Sequence, residues 1–187
     1  MGSKTSKQNL TPLISIVLLG LNGTQLDVAK YYYKTIRGIE SNIQSMNFFE
    51  IRNSITIDND NGIKNYIARI WYFNLLECVI WESVKKVLGA GIVFDITDKK
   101  TFDNLDKYIQ KINEKHNRYF FTLILIGNKC ECQSGRKVFK EEAQKFADMN
   151  KMKYFEVSSS TGEGVKECID YLIEQSFQKY LELNNKK

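Results

Sequence analysis

Hydrophobic positions along this chain switch between two periods, and the switching predicts alternating strands and helices. Residues 1 to 12 are polar and aperiodic and predict a mobile arm. Ile14 to Leu19 is a short apolar run closed by Gly20, the mark of a buried strand. A helix is expected from Leu26 to Ile36. Residues 48 to 57 alternate loosely through Phe49, Ile51, Ile55 and Ile57, and a turn signal follows at Asp58-Asn59-Asp60-Asn61-Gly62. With a second extended segment at Tyr66 to Trp71, this predicts a hairpin.

The second half alternates more regularly. Ile92-Val93-Phe94 reads as a strand, and Phe102, Leu105, Ile109 and Ile112 then fall at helical spacing. Phe121 to Ile126 is the next strand, Phe139, Ala143, Phe146 and Ala147 the next helix face, and Tyr154 to Val157 the last strand. Val165, Ile169, Leu172, Ile173 and Phe177 mark a long final helix, with Ser160 and Glu163 at capping-box spacing in front of it. Such alternation predicts an α/β fold, a mostly parallel sheet covered by helices on both faces. Ligands bind such sheets at the carboxyl ends of the strands, so chemistry is sought after residues 19, 71, 94, 127 and 157.

Composition narrows the class without naming a chemistry. The 187 residues suit one domain, and 43% hydrophobic with 26% charged residues is ordinary for a globular chain. The net charge of +5 is dispersed, with Lys85-Lys86, Lys99-Lys100 and Lys186-Lys187 as pairs and not runs. Nucleic-acid binders concentrate such charge on one face, so no nucleic-acid partner is expected. The four cysteines, at 78, 130, 132 and 168, lack zinc-ligand spacing, and His116 is the sole histidine. Reduced thiols, a cytoplasmic location and no metal site are expected. No apolar stretch is long enough to span a membrane, and the N-terminal residues lack the apolar core of a secretory signal.

A family becomes recognisable in the predicted loops. Gly91-Ile92-Val93-Phe94-Asp95-Ile96-Thr97 with Thr101-Phe102 resembles the central strand and following helix of Rab proteins. Ile124 to Lys129 is similar to the strand entering their guanine-recognition loop, and Lys153 to Glu163 to their last nucleotide loop. Val17-Leu18-Leu19-Gly20 fits the entry to a Rab phosphate loop. This resemblance to Ras/Rab-type small GTPases covers residues 13 to 181, leaving a 1–12 arm and a polar 182–187 tail. It implies the P-loop NTPase-like small-GTPase fold, with a six-stranded, mostly parallel sheet.

The family's chemistry does not carry over with the fold. A phosphate loop, GxxxxGK[ST], turns backbone N–H groups toward phosphate, extends a lysine to the outer phosphates and offers a hydroxyl to magnesium. Here Gly20 and an inner Gly23 persist, but Gln25 stands at the second glycine, Leu26 at the lysine and Asp27 at the hydroxyl. An aspartate at a helix start takes the positive end that phosphate would use, or caps the helix. In the family's W-D-T-A-G-Q-E, Tyr72 replaces the metal-binding Asp, Leu75 the glycine that meets the terminal phosphate and Leu76 the water-orienting Gln. The switch threonine falls near Met46-Asn47-Phe48, with Ser45 the nearest hydroxyl. Tyr72, Phe73 and Trp81 either fill the pocket or form an exposed aromatic patch. Guanine recognition is partly kept: Asn128 and Lys129 match NKxD, Glu131 replaces its Asp, and Ser158, Ser159 and Ser160 stand where the family has Ser-Ala-Lys. Asn128 and Lys129 serve either the base or the tie between loops.

Removing one charge-assisted hydrogen bond costs about 1.5–3 kcal/mol. Replacing the lysine and a metal ligand while adding Asp27 removes on the order of 6 kcal/mol, roughly four decades of affinity at about 1.4 kcal/mol each. The expected protein is a Rab-like pseudoGTPase with no catalytic residue, a non-switching interaction module with trafficking or cytoskeletal protein partners. GTP or GDP is the one candidate cofactor, held weakly and without a full magnesium shell. Two alternatives stand beside it: a divergent GTP-binding switch completed by a partner, and a structural subunit of a cytoskeletal or transport complex. Met1-Gly2-Ser3-Lys4-Thr5-Ser6 fits N-myristoylation at Gly2, and equally the scar of an expression tag. The C-terminal residues lack prenylation cysteines, so any membrane anchor is expected at the front, on a cytoplasmic face.

Overall fold

The computed structural model describes residues 11–38, 48–57, 62–74, 87–115 and 121–185. The elements run β1 (Leu13–Gly20), α1 (Thr24–Arg37), β2 (Phe48–Ile57), β3 (Gly62–Asn74), β4 (Val87–Asp95), α2 (Lys99–Asp103), α3 (Leu105–Lys115), β5 (Thr122–Asn128), α4 (Lys140–Met149), β6 (Lys153–Val157) and α5 (Val165–Asn185). They build one six-stranded sheet in the order β2-β3-β1-β4-β5-β6. β2 and β3 pair antiparallel from Phe48 opposite Trp71 to Ile57 opposite Gly62, and every other pair is parallel. This is the α/β architecture expected of a small GTPase.

Strand alternation explains the two cores. In β1, Ile14, Ile16 and Leu18 face a layer formed with Val28 and Tyr32 of α1 and Ile169, Leu172 and Phe177 of α5. Val17 and Leu19 face the opposite layer, with Phe102, Ile109, Ala143 and Phe146 of α2, α3 and α4. A central strand apolar on both faces therefore reads as the continuous run seen in the sequence. Across the α1–α5 layer, the Tyr32 hydroxyl donates to Asp170 Oδ1 at 2.6 Å, and burial with this acidic neighbour raises its pKa.

Four expectations change in detail. The helix predicted as one piece from Phe102 is two, because Asp98 caps α2 by accepting from the Lys100 N–H at 3.1 Å and Asn104 ends it. α5 continues to Asn185, past the tail expected from residue 182. Ser160 and Glu163 form no capping box: α5 begins at Val165, and the Glu163 carbonyl accepts the Ser158 N–H at 2.9 Å. Asp27 is not a cap either, since Gly23 holds that position.

Candidate functional site

β1, β4, β5 and β6 end at the same rim of the sheet, which brings the sequence-predicted loops together. After Gly20, Asn22 and Gly23 take left-handed backbone angles, with φ of 56° and 81°. Glycine adopts that conformation without strain, and asparagine is among the residues that tolerate it. The turn is so tight that α1 starts at once, at Thr24. Three of its first four N–H groups are consequently spent inside the loop. Thr24 donates to the Leu21 carbonyl at 3.3 Å, and Leu26 and Asp27 donate to the Gly23 carbonyl at 2.9 and 3.2 Å. Phosphate binding at a helix start relies on such groups being free.

Side chains of the loop close over Gly20. A Cβ added there would lie 2.8 Å from both Gln25 Oε1 and Thr24 Oγ1 and 3.0 Å from the Val93 carbonyl, so no side chain larger than hydrogen fits. Thr24 Oγ1 donates to the Leu21 carbonyl at 2.9 Å, while the buried Gln25 Oε1 has no hydrogen-bond partner among the described residues. Leu26, at the lysine position, packs against the α1–α5 core. Asp27 reaches the surface, yet neighbouring atoms crowd its carboxylate. That burial raises its pKa, against the pull of Lys30 and Lys129.

The guanine side is assembled differently. Asn128 is fully buried, and its amide clasps Ser159 at both ends: Nδ2 donates to Ser159 Oγ and Oδ1 accepts the Ser159 N–H, each at 3.0 Å. Lys129, with φ of 72°, sends its ammonium to Asp95 Oδ2 at 2.5 Å. Asp95 Oδ1 accepts the Thr97 N–H at 2.8 Å and the Thr97 hydroxyl at 2.6 Å. Burial disfavours the Asp95 charge, but Lys129 and Thr97 more than offset it and hold the carboxyl below its usual range. The same contact raises the Lys129 pKa. Glu131 is likewise held low: burial opposes its charge, and the Ser158 and Ser160 hydroxyls with its own N–H prevail. Ser158 Oγ also accepts the Thr161 N–H at 3.0 Å.

The structure thus brings Gly20, Gly23, Gln25, Leu26, Asp27, Asn128, Lys129, Glu131 and the Ser158–Ser160 run to one rim. It does not bring Tyr72 there as the first residue of a loop. β3 extends to Asn74, Tyr72 pairs with Leu18 inside the sheet, and both Tyr72 and Phe73 are buried. Neither side chain belongs to an exposed patch. Gly2, Ser45-Met46-Asn47, Leu75, Leu76 and Trp81 lie outside the described residues. Asp95 and Thr24 carried no role in the sequence reading. A carboxylate ending an otherwise apolar strand was the available signal for Asp95, and nothing in the local sequence singled out Thr24.

The Ras family model matches residues 73–178. The chain belongs to the Ras family, as a Ras/Rab-type small-GTPase relative. It is 36% identical over 85 residues to Ras-related protein Rab-13 of Mesocricetus auratus, covering 46% of this chain and 41% of the relative. It is 34% identical over 98 residues to GTP-binding protein ypt2 of Schizosaccharomyces pombe, covering 52% and 48%. The chain thus spans about half the length of these relatives. Against GTP-binding protein ypt3 of the same yeast, identity is 27% over 172 residues, covering 82% of this chain and 80% of the relative.

Family membership makes GTP or GDP with magnesium the ligand to test against the site. The base-side groups fit in kind, since Asn128, Lys129 and Glu131 stand at the end of β5 and in its loop. The phosphate side does not fit. The N–H groups of Thr24, Leu26 and Asp27 are occupied, Gln25 and Thr24 cover Gly20, and the lysine and hydroxyl positions carry Leu26 and Asp27. No step of phosphoryl transfer is derived from it. Among the described residues there is no cluster of three or more potential metal ligands, and no helix is long and apolar enough to cross a membrane.

Proposed function

We propose that this protein is a Rab-like pseudoGTPase, a non-switching interaction module in membrane trafficking that works on the cytoplasmic face of membranes. The observation carrying this reading is the self-filled phosphate loop. Helix α1 begins inside it, its N–H groups bond to Leu21 and Gly23, and Gln25 lies over Gly20. Phosphoryl transfer depends almost entirely on positioning and electrostatics, and this loop contributes neither. The remaining cation, Lys129, is neutralised by Asp95 and faces the charge of Asp27.

Protein partners are the natural ligands of such a module. Support comes from the β2–β3 hairpin at the sheet edge. There half-buried Phe48 and Trp71 meet in a tilted contact with centroids 4.4 Å apart, and the Arg69 guanidinium lies 5.1 and 5.8 Å from the two rings. Aromatic and arginine side chains of this kind anchor protein interfaces. A myristoyl group on Gly2 is proposed as one membrane signal, and a single chain of that length binds only marginally without a second.

Titration with fluorescent GDP and GTP, with and without magnesium, tests the reading. Weak binding that ignores magnesium is expected. Tight, magnesium-dependent binding defeats the proposal. It would favour a divergent switch, the alternative supported by the partly kept base-side grouping of Asn128, Lys129 and Glu131.

A further inference from the structure

We infer that the outer edge of β6 is a docking groove for an extended peptide, which adds to the sheet as a further strand and carries a basic-acidic-basic triplet. The inference does not depend on the nucleotide reading. β6 is the last strand of the sheet, paired on one side only, with Ile124 opposite Lys153 through Asn128 opposite Val157. In a parallel ladder, alternate residues of such a strand aim their N–H and C=O groups away from the partner. Among the described residues, no backbone hydrogen bond other than those of the β5 ladder reaches residues 153–156.

A cleft of about 610 Å³ runs beside the same four residues, Lys153 to Glu156. That is within the range of roughly 300–1,000 Å³ typical of ligand sites. Its floor is a strand edge and its walls are two helices, an arrangement that matches an added strand better than a compact small molecule. The two faces of β6 define the walls. Tyr154 packs into the α2–α4 layer, so Lys140 and Gln144 of α4 form one wall. Phe155 packs into the α1–α5 layer, so Glu163 in the loop before α5 and Glu167 in its first turn form the other.

The charges on these walls are unevenly satisfied. Glu156 is held by both guanidinium nitrogens of Arg136, at 2.8 and 2.9 Å, and by the Tyr154 hydroxyl at 2.8 Å. Lys153 lies over the Tyr171 and Phe155 rings, 4.0 and 4.8 Å from their centroids. Lys140, Glu163 and Glu167 form no salt bridge among the described residues, and Glu163 accepts only the weak Cys130 thiol donor at 3.7 Å. Glu156 feels the charge of Lys140 but is already held by Arg136, so Lys140 on the α4 wall and the two carboxylates on the α5 wall are left without a salt bridge among the described residues. Successive side chains of a strand point to opposite faces, so the residue facing Lys140 is acidic and its two neighbours, facing Glu163 and Glu167, are basic.

The test uses two synthetic peptides, acetyl-Thr-Val-Lys-Glu-Lys-Val-Thr-amide and its charge inverse with Glu-Lys-Glu at the centre. Binding is followed by amide chemical shifts and by hydrogen exchange of β6 in the full chain. The first peptide is expected to slow exchange in β6 and to bind about ten-fold more tightly than the inverse, a difference of about 1.4 kcal/mol. Charge reversal in Glu163→Lys/Glu167→Lys should invert that preference, and Lys140→Glu, which leaves the α5 wall intact, should reduce it. Equal binding of both peptides overturns the charge assignment. Shifts without slower exchange in β6 overturn strand addition, as does an unchanged preference in the folded variants.

Discussion

If the phosphate loop is closed by its own side chains, returning three of them to the GxxxxGK[ST] pattern should reopen it by a calculable amount. The variant is Gln25→Gly/Leu26→Lys/Asp27→Ser. Gln25→Gly removes the amide lying over Gly20. Leu26→Lys supplies one charge-assisted hydrogen bond to phosphate, about 1.5–3 kcal/mol. Asp27→Ser removes a like charge, on the order of 1 kcal/mol at a partly solvated site. The sum is about 3 kcal/mol, or two decades in Kd for GDP. Part of the gain should depend on magnesium, because Asp27→Ser restores the metal-binding hydroxyl while Tyr72 still stands at the second metal-binding position. Withdrawing Leu26 from the α1–α5 core costs roughly 1–2 kcal/mol of stability, so melting is measured in parallel. Fluorescent GDP titration of parent and variant reads the outcome. A folded variant that binds GDP no better than its parent refutes the claim that these three side chains set the phosphate penalty.

Other expectations concern the rim as structure. Asn128→Ala strands the Ser159 N–H and hydroxyl, and urea unfolding without nucleotide should show destabilisation of about 2–4 kcal/mol. A change under half a kcal/mol would mean that Asn128 is not a loop tie. Because Asp95 and Glu156 have folded pKa values below their unfolded ones, their stabilisation is full above the ordinary carboxylate range and is lost as pH falls through the folded values. The melting temperature should therefore fall on acidification below about pH 4, and Asp95→Asn should flatten part of that slope. Burial, with Glu163 and Glu131 nearby, pushes the Cys130 thiol up to about 11. Peptide mapping after brief iodoacetamide treatment near neutral pH should find half-exposed Cys132 labelled ahead of buried Cys130 and Cys168.

Strand positions were legible because each was an apolar run or alternation that had to face one core or two, as β1 shows. Helix α5 was legible for the same reason. Local geometry was harder to read. The early start of α1 follows from left-handed Asn22 and Gly23, and no spacing of apolar residues records a backbone angle. The Ser160–Glu163 spacing misled because the Glu163 N–H is taken by the Thr161 hydroxyl, at 3.3 Å, and the helix begins later, at Val165. β3 outran its predicted end because Tyr72 and Phe73 continue to pair with β1.

For the site, substitutions at Gln25, Leu26 and Asp27 could be read directly against the phosphate pattern. The partnerships could not. Lys129 finds Asp95 and Asn128 finds Ser159 only after three separate strands end at one rim, and those pairings cross tens of residues.

The most direct measurement is the nucleotide content of the native protein, purified without added nucleotide, denatured and quantified by ion-exchange chromatography. A phosphate loop filled from within predicts no more than a trace of guanine nucleotide. One GDP or GTP per chain would contradict it.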